Sequence, residues 1–176
     1  MNVHDSEKML GVLEKEGYFQ TEDPQRADLI IFNTCGIRQK AEHKFYSELG
    51  RIKAYKKKRP KMKIAVAGCI AQQAGEDILR KAPYVDFIFG PQNIHMLEDF
   101  VSGRTSYVAT GDNPEIATRD LPVKRSDPVK AWVTIMYGCN NFCSYCVVPY
   151  SRGREISRSS ANIIAEVKEL ADKGYK

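Results

Sequence analysis

The sequence predicts an α/β protein: a doubly wound parallel sheet followed by the opening βα unit of a barrel. Three observations carry this. Short apolar runs alternate with amphipathic stretches through residues 1–110, the arrangement that gives parallel strands joined by crossover helices. Residues 111–130 then lose that periodicity and collect Pro114, Pro122 and Pro128 among charged residues, as an interdomain linker does. Beyond the linker, residues 131–176 hold one strand, a cysteine-rich loop and one helix. Such a unit buries too little surface to stand alone and reads as the first repeat of something larger, most naturally a βα barrel.

The elements follow in order. Asp5 and Ser6 are placed to cap a first helix with Met9, Leu10 and Leu13 on one face, stopping near Gly17. Leu29-Ile30-Ile31-Phe32 is a bounded apolar run and reads as a buried strand. Ala41, Phe45, Leu49, Ile52 and Tyr55 recur at steps of three and four, which makes a long amphipathic helix. A strand at Ile64–Ala67, a helix around Ala74 to Lys81, a strand at Val85–Phe89, a helix from Asn93 to Val101 and a last strand near Ser106-Tyr107-Val108 complete the first unit. In the second, the apolar run from Ala131 through Met136 is the strand, and Ile163, Ile164, Val167, Leu170 and Ala171 face one side of a helix ending near Gly174. A doubly wound sheet normally opens with a strand feeding its first helix, yet Met1 stands only a few residues before that helix. The expectation is therefore a flavodoxin- or Rossmann-like sheet lacking its first strand, which would be central in an order 2-1-3-4-5, within a chain truncated at both ends.

With 176 residues and 43% hydrophobic content the chain can bury a real core. An odd cysteine count of 5, no charged N-terminal stretch leading into an apolar one, and no long apolar run predict a reducing, cytoplasmic setting without membrane association. Twenty-seven Lys and Arg against 22 Asp and Glu give a net charge of +5, a mild pointer to a polyanionic partner.

The residues that carry chemistry are Cys139, Cys143 and Cys146, spaced C-x3-C-x2-C directly after a predicted strand. Three thiolates so close together suit a metal. A four-iron cluster ordinarily takes four cysteines, and a site with one position unfilled is open to substrate, whereas a full one is structural. The alternatives are a structural zinc knuckle or a closed electron-transfer cluster. Zinc usually recruits another Cys or His pair, and none follows Cys146.

C-x3-C-x-aromatic-C after a strand resembles the signature of the radical S-adenosylmethionine enzymes, matched here by Cys139, Cys143, Tyr145 and Cys146. The resemblance implies a [4Fe–4S] cluster whose open iron chelates S-adenosylmethionine, cleaved on one-electron reduction to a 5′-deoxyadenosyl radical, with Tyr145 on the adenine side. Within that group the chain is similar to the methylthiotransferases, through Met1–Glu7, Asn33–Arg38, Ala67–Gln72, Phe89–His95 and Trp132–Arg158. Ile135–Cys139 and Pro149–Glu155 resemble the branch that acts on N6-isopentenyladenosine next to the anticodon of tRNA. The resemblance implies methylthiolation at C2 of that base, and an electron donor such as flavodoxin or ferredoxin as partner. It also implies a second [4Fe–4S] cluster on three N-terminal cysteines, two of them matching Cys35 and Cys69; the third would precede Asn2 and is absent here. A chain lacking that ligand is expected to be inactive alone.

Read from the residues themselves, Cys35 and Cys69 each stand just beyond a predicted parallel strand, where open α/β sheets place ligands. They suit inert buried thiols equally well. Lys53, Lys56, Lys57, Lys58, Arg59, Lys61 and Lys63 crowd one helix end, either as a solvated terminus favoured by the macrodipole or as a patch for tRNA phosphates. Tyr150, Arg152, Arg154 and Arg158 follow the cysteine loop and are candidate RNA contacts, Tyr150 by stacking on a splayed base.

Overall fold

In a computed structural model, residues 2–36, 39–104 and 108–176 are described. Ser106 and Tyr107 of the expected last strand, and Met1, Ile37 and Arg38 of the resembling stretches, lie outside them. The described elements of the first unit are α1 (Asn2–Lys15), β1 (Leu29–Thr34), α2 (Gln39–Lys58), β2 (Lys63–Gly68), α3 (Cys69–Lys81), β3 (Phe87–Phe89), a 3-10 turn (Pro91–Met96), α4 (Leu97–Val101) and β4 (Val108–Ala109). All four strands are parallel, and helices cover both faces, as a doubly wound α/β sheet requires.

Alternation along the strands sorts the core into two layers. Ile64, Val66 and Ile88 point to one face, where Phe45, Leu49 and Ile52 of α2 and Ile70 and Ile78 of α3 cover them. Ala65, Ala67, Phe87 and Phe89 point to the other, under Met9 and Val12 of α1 and Ile94, Leu97 and Phe100. Phe87 stacks between Phe89 and Phe100 at centroid separations of 5.2 and 4.5 Å. Side chains on α1 that a soluble helix would send to water are instead buried, among them His4, Asp5, Glu7 and Lys8. Asp5, Glu7 and Lys8 find partners far along the chain, in Arg152, Ser126 and Tyr137.

The strand order is β1-β2-β3-β4. β1 pairs with β2 along its whole length, from Leu29↔Lys63 to Thr34↔Gly68, which is the order 2-1-3-4-5 with its first strand left out. Direct pairing satisfies the backbone groups that a gap would leave bare. Other expectations shift. The first helix begins at Asn2, which puts Asp5 and Ser6 inside it rather than at its cap; the Asp5 carboxylate goes to Arg152, and Ser6 Oγ donates to Asn2 O and accepts from Asn33 Nδ2. α3 opens at Cys69, well before Ala74, and consists of two helical pieces joined across a non-helical Gly75.

Residues 111–130 contain a 3-10 turn (Pro114–Ala117) with Ile116 and Ala117 buried, and then run along α1. Lys124 N–H donates to Glu7 O at 3.0 Å and Lys124 Nζ reaches Glu14. Gly11 permits this approach, since a Cβ there would lie 2.8 Å from Val123 N.

Beyond the linker come β5 (Met136–Tyr137), α5 (Val148–Arg152), β6 (Ile156–Ser157) and α6 (Ser160–Asp172). The predicted strand at 131–136 survives only at its end: β5 pairs antiparallel with β6, and Trp132 and Ile135 are exposed. A strand exists by its ladder, and β6 offers a partner to two residues alone. α6 is capped by Ser159 Oγ, which accepts from Asn162 N–H. It is held by Glu166 between Arg125 and Arg158 at 3.1 and 2.6 Å, whereas Ile164 and Val167 of its apolar face are exposed. Among the described residues no helix is long and apolar enough to cross a membrane.

The basic end of α2 is largely committed to the fold. Arg59 donates to Gln25 O, Ala27 O and Asp28, and Lys63 Nζ stands over the Phe100 ring. Lys56 Nζ donates to both Asp86 oxygens at 2.8 and 2.7 Å, while Asp86 also accepts from Ile64 N–H at 2.7 Å. Removing that carboxylate strands a half-buried cation and a backbone donor. Asp86→Ala is expected to cost about 2 kcal/mol in denaturant unfolding, with a loss under 0.5 kcal/mol counting against the assignment.

Candidate functional site

Cys35 and Cys69 are brought together by register. Thr34 and Gly68 are paired neighbours at the C-terminal ends of β1 and β2, so the next residue of each strand leaves the sheet beside the other. Thr34 Oγ1 donates to Ala67 O at 2.6 Å and accepts from Ile70 N–H at 3.2 Å, tying the strand end to the first turn of α3. A Cβ on Gly36 would be 3.3 Å from Cys69 Cβ. Cys69 is buried and Cys35 half-buried. This edge is where open parallel sheets take ligands.

The second cysteine group lies on the loop between β5 and α5. Cys139 N–H donates to Gly153 O at 3.2 Å and Cys146 N–H to Cys143 O at 2.9 Å, and Phe142 adopts φ 47°, the left-handed turn region. Cys143 is exposed, with Cys139 and Cys146 half-buried. Tyr145 is 91% exposed, free of any packing role. Among the described residues no three Cys, His, Asp or Glu side chains are gathered as a metal group. The donor set suits a thiolate-bound cluster, with three thiols on one turn-rich loop, but the loop must close to converge them.

α5 carries this loop onto the sheet edge. Arg152, from the end of α5, donates to Asp5 Oδ2 at 2.6 Å, and α5 packs against α3, which opens at Cys69. Burial works against the Arg152 charge, and Asp5 and Cys69 more than offset it, holding the group above its ordinary range. Gln92 Nε2 donates to Arg152 O at 2.8 Å while Gln92 Oε1 accepts from Asn113 N–H at 2.7 Å. Arg158 is likewise engaged, donating to Thr134 O and Glu166. Of the candidate RNA contacts, Tyr150 is exposed and meets Phe142 edge to face at 5.7 Å, with the Arg154 guanidinium 5.8 Å from the Phe142 centroid.

Sequence reasoning missed Asp5, Gln92 and Phe142 as parts of this site. Asp5 and Arg152 are 147 positions apart, so no local spacing links them. Gln92 sits in the resembling stretch Phe89–His95, which carried no separable chemical signal. Phe142 had one, an aromatic between two cysteines.

A buried polar cluster lies behind the edge. His4 Nδ1 is 3.4 Å from Glu7 Oε2, Glu7 Oε1 accepts from Ser126 N–H and Oγ at 3.1 and 3.0 Å, and Lys8 Nζ donates to Tyr137 OH at 2.9 Å. Burial and Lys8 push the His4 imidazole below its usual value. Burial alone would raise Glu7, yet the Ser126 and His4 hydrogen bonds hold it lower than normal. Both folded-state values lie below their unfolded ones, so the stabilisation is full above the unfolded values and is lost as pH falls through the folded ones. Thermal midpoints measured from neutral pH downward are expected to fall first below the ordinary histidine range. His4→Gln should flatten that first step, and an unchanged profile would contradict the assignment.

Residues 1–90 match the model described as Uncharacterized protein family UPF0004. The chain is similar to the tRNA-2-methylthio-N(6)-dimethylallyladenosine synthase of Thermodesulfovibrio yellowstonii, 56% identical over 177 residues, covering 100% of this chain and 41% of the relative. The synthases of that name from Syntrophus aciditrophicus and Clostridium botulinum strain Langeland are 51% and 48% identical, again over 100% of this chain and over 39% and 40% of their own lengths. The chain spans about two fifths of the length of these curated relatives.

Proposed function

Because the chain belongs to Uncharacterized protein family UPF0004, we propose that it is part of a radical S-adenosylmethionine enzyme that attaches a methylthio group to C2 of N6-isopentenyladenosine in the tRNA anticodon loop. The observation that carries this reading is the approach of two cysteine groups to one sheet edge: Cys35 and Cys69 leave paired strands, and α5, which follows the loop of Cys139, Cys143 and Cys146, packs against α3 and is tied to α1 through Arg152. The names of the similar synthases point to the same substrate.

On this reading Cys139, Cys143 and Cys146 would hold one [4Fe–4S] cluster, and Cys35 and Cys69 would be two ligands of a second. Bound on the loop, a cluster with one open iron would supply the electron that cleaves S-adenosylmethionine. The chain's own residues bind and orient. Tyr145 offers an unengaged ring to the adenine of S-adenosylmethionine. Phe142, Tyr150 and Arg154 offer stacking faces and a cation to unpaired bases beside the loop. Arg152 and Arg158 are held by carboxylates and act inside the protein. A flavodoxin- or ferredoxin-type donor would deliver the electron, in the reducing cytoplasm that suits free thiols.

Mass spectrometry of tRNA nucleosides from a deletion strain complemented with the whole gene tests the proposal. Return of the methylthio adenosine supports it. No return would turn the reading to a methylthiotransferase acting on another modified adenosine or a ribosomal protein, or to a non-enzymatic iron–sulfur or zinc module.

A further inference from the structure

We propose that the buried Asp5–Arg152 pair is a latch that docks the cysteine loop onto the C-terminal edge of the sheet and so fixes the spacing between the two cysteine groups. The latch is independent of which metal the cysteines take, and the reading of function does not require it.

Four observations support it. The pair is short, 2.6 Å, and both side chains are only 10% exposed, although the partners come from α1 and from the end of α5. A buried charge without its partner is costly, so neither group sits there unless the other does. α5 packs against α3, whose first residue is Cys69, which places the contact at one cysteine group. The residue after Arg152 supplies the carbonyl that receives the Cys139 N–H at 3.2 Å, which connects the contact to the other. Gln92 Nε2 adds a third point of attachment at Arg152 O, braced in turn by Asn113.

From Asp5 through Arg152 and Gly153 to Cys139 there is therefore an unbroken path of hydrogen bonds and two covalent neighbours. Elsewhere the loop is held mainly by itself: Cys146 bonds back to Cys143, Phe142 packs on Tyr150, and Cys143 faces solvent. Releasing Arg152 should free the loop while leaving the sheet intact, since the β1–β2 ladder and the two apolar layers are built without it.

Hydrogen exchange followed by mass spectrometry on the full chain without added metal tests this. Asp5→Asn and Arg152→Gln are each expected to speed exchange in peptides covering residues 138–154 by about tenfold or more, as local opening becomes easier. Peptides covering α2 and β2 should stay unchanged, and the double variant should be no faster than either single one, because both break one interaction. Unchanged loop exchange, or effects that add in the double variant, would overturn the latch. Should Arg152→Gln loosen the sheet as well, Arg152→Lys decides the matter, because it keeps a cation for Asp5. Loop exchange slower than in Arg152→Gln is the expected outcome there, and a rise spread evenly over loop and sheet would place the pair in the general core and defeat the proposal.

Discussion

Cys143→Ala is expected to remove iron from the cysteine loop and to lower methylthio adenosine formation by the whole protein more than ~100-fold, beyond the loss typical of disturbing a residue that merely supports a metal ligand. The expectation is sharp because Cys143 has so little else to do. Its side chain is exposed, it belongs to neither apolar layer, and the hydrogen bond at this position is accepted by its backbone carbonyl. The folded chain should therefore keep its stability within about 0.5 kcal/mol, the usual range for surface substitutions. Iron content and nucleoside mass spectrometry on the same variant separate the two roles. Loss of iron with intact folding marks a ligand; retained iron and activity would remove Cys143 from the site.

The second large effect is structural and falls on the other cysteine group. Gly68 has φ 90° and ψ −158°, a combination essentially reserved for glycine. A Cβ there would run into the Thr34 carbonyl and lie 2.9 Å from Asn33 Oδ1, on the neighbouring strand. Gly68→Ala must strain the backbone and wedge β1 from β2 at the place where Cys35 and Cys69 emerge. Combining the strained conformation with a clash against backbone, the expected loss is about 3 kcal/mol in denaturant unfolding. Loss under 1 kcal/mol would mean that the strand ends are not locked as described, and that the cysteines' proximity rests on something other than register.

The first three strands and the helices that cover them were legible in the sequence because their signals are local. Ile64–Ala67 and Phe87–Phe89 are buried apolar runs, and the three- and four-residue steps of α2 need no distant information. Cys35 and Cys69 were placed correctly at strand ends for the same reason. The rest depended on partners far away. Asp5 looks like a helix cap until Arg152 is seen across from it. Trp132–Ile135 looks like a strand by composition, yet strand formation depends on a ladder, and only Met136 and Tyr137 find one. Lys56, Arg59 and Lys63 look like a solvated helix end, and their engagement with Asp86, Asp28 and Phe100 follows from how α2 packs on the sheet. The strand order β1-β2-β3-β4 is the expected one with its first strand left out. At the cysteine loop the spacing announced the donors, whereas its docking through α5 and Gln92 had no trace in local sequence.

The central claim is that Cys139, Cys143 and Cys146 hold an iron–sulfur cluster with a position open to S-adenosylmethionine. Anaerobic reconstitution with iron and sulfide, followed by electron paramagnetic resonance of the reduced protein with and without S-adenosylmethionine, tests it most directly. A [4Fe–4S] signal that shifts when S-adenosylmethionine is added is the predicted result. Zinc in place of iron, or an iron signal indifferent to S-adenosylmethionine, would contradict it.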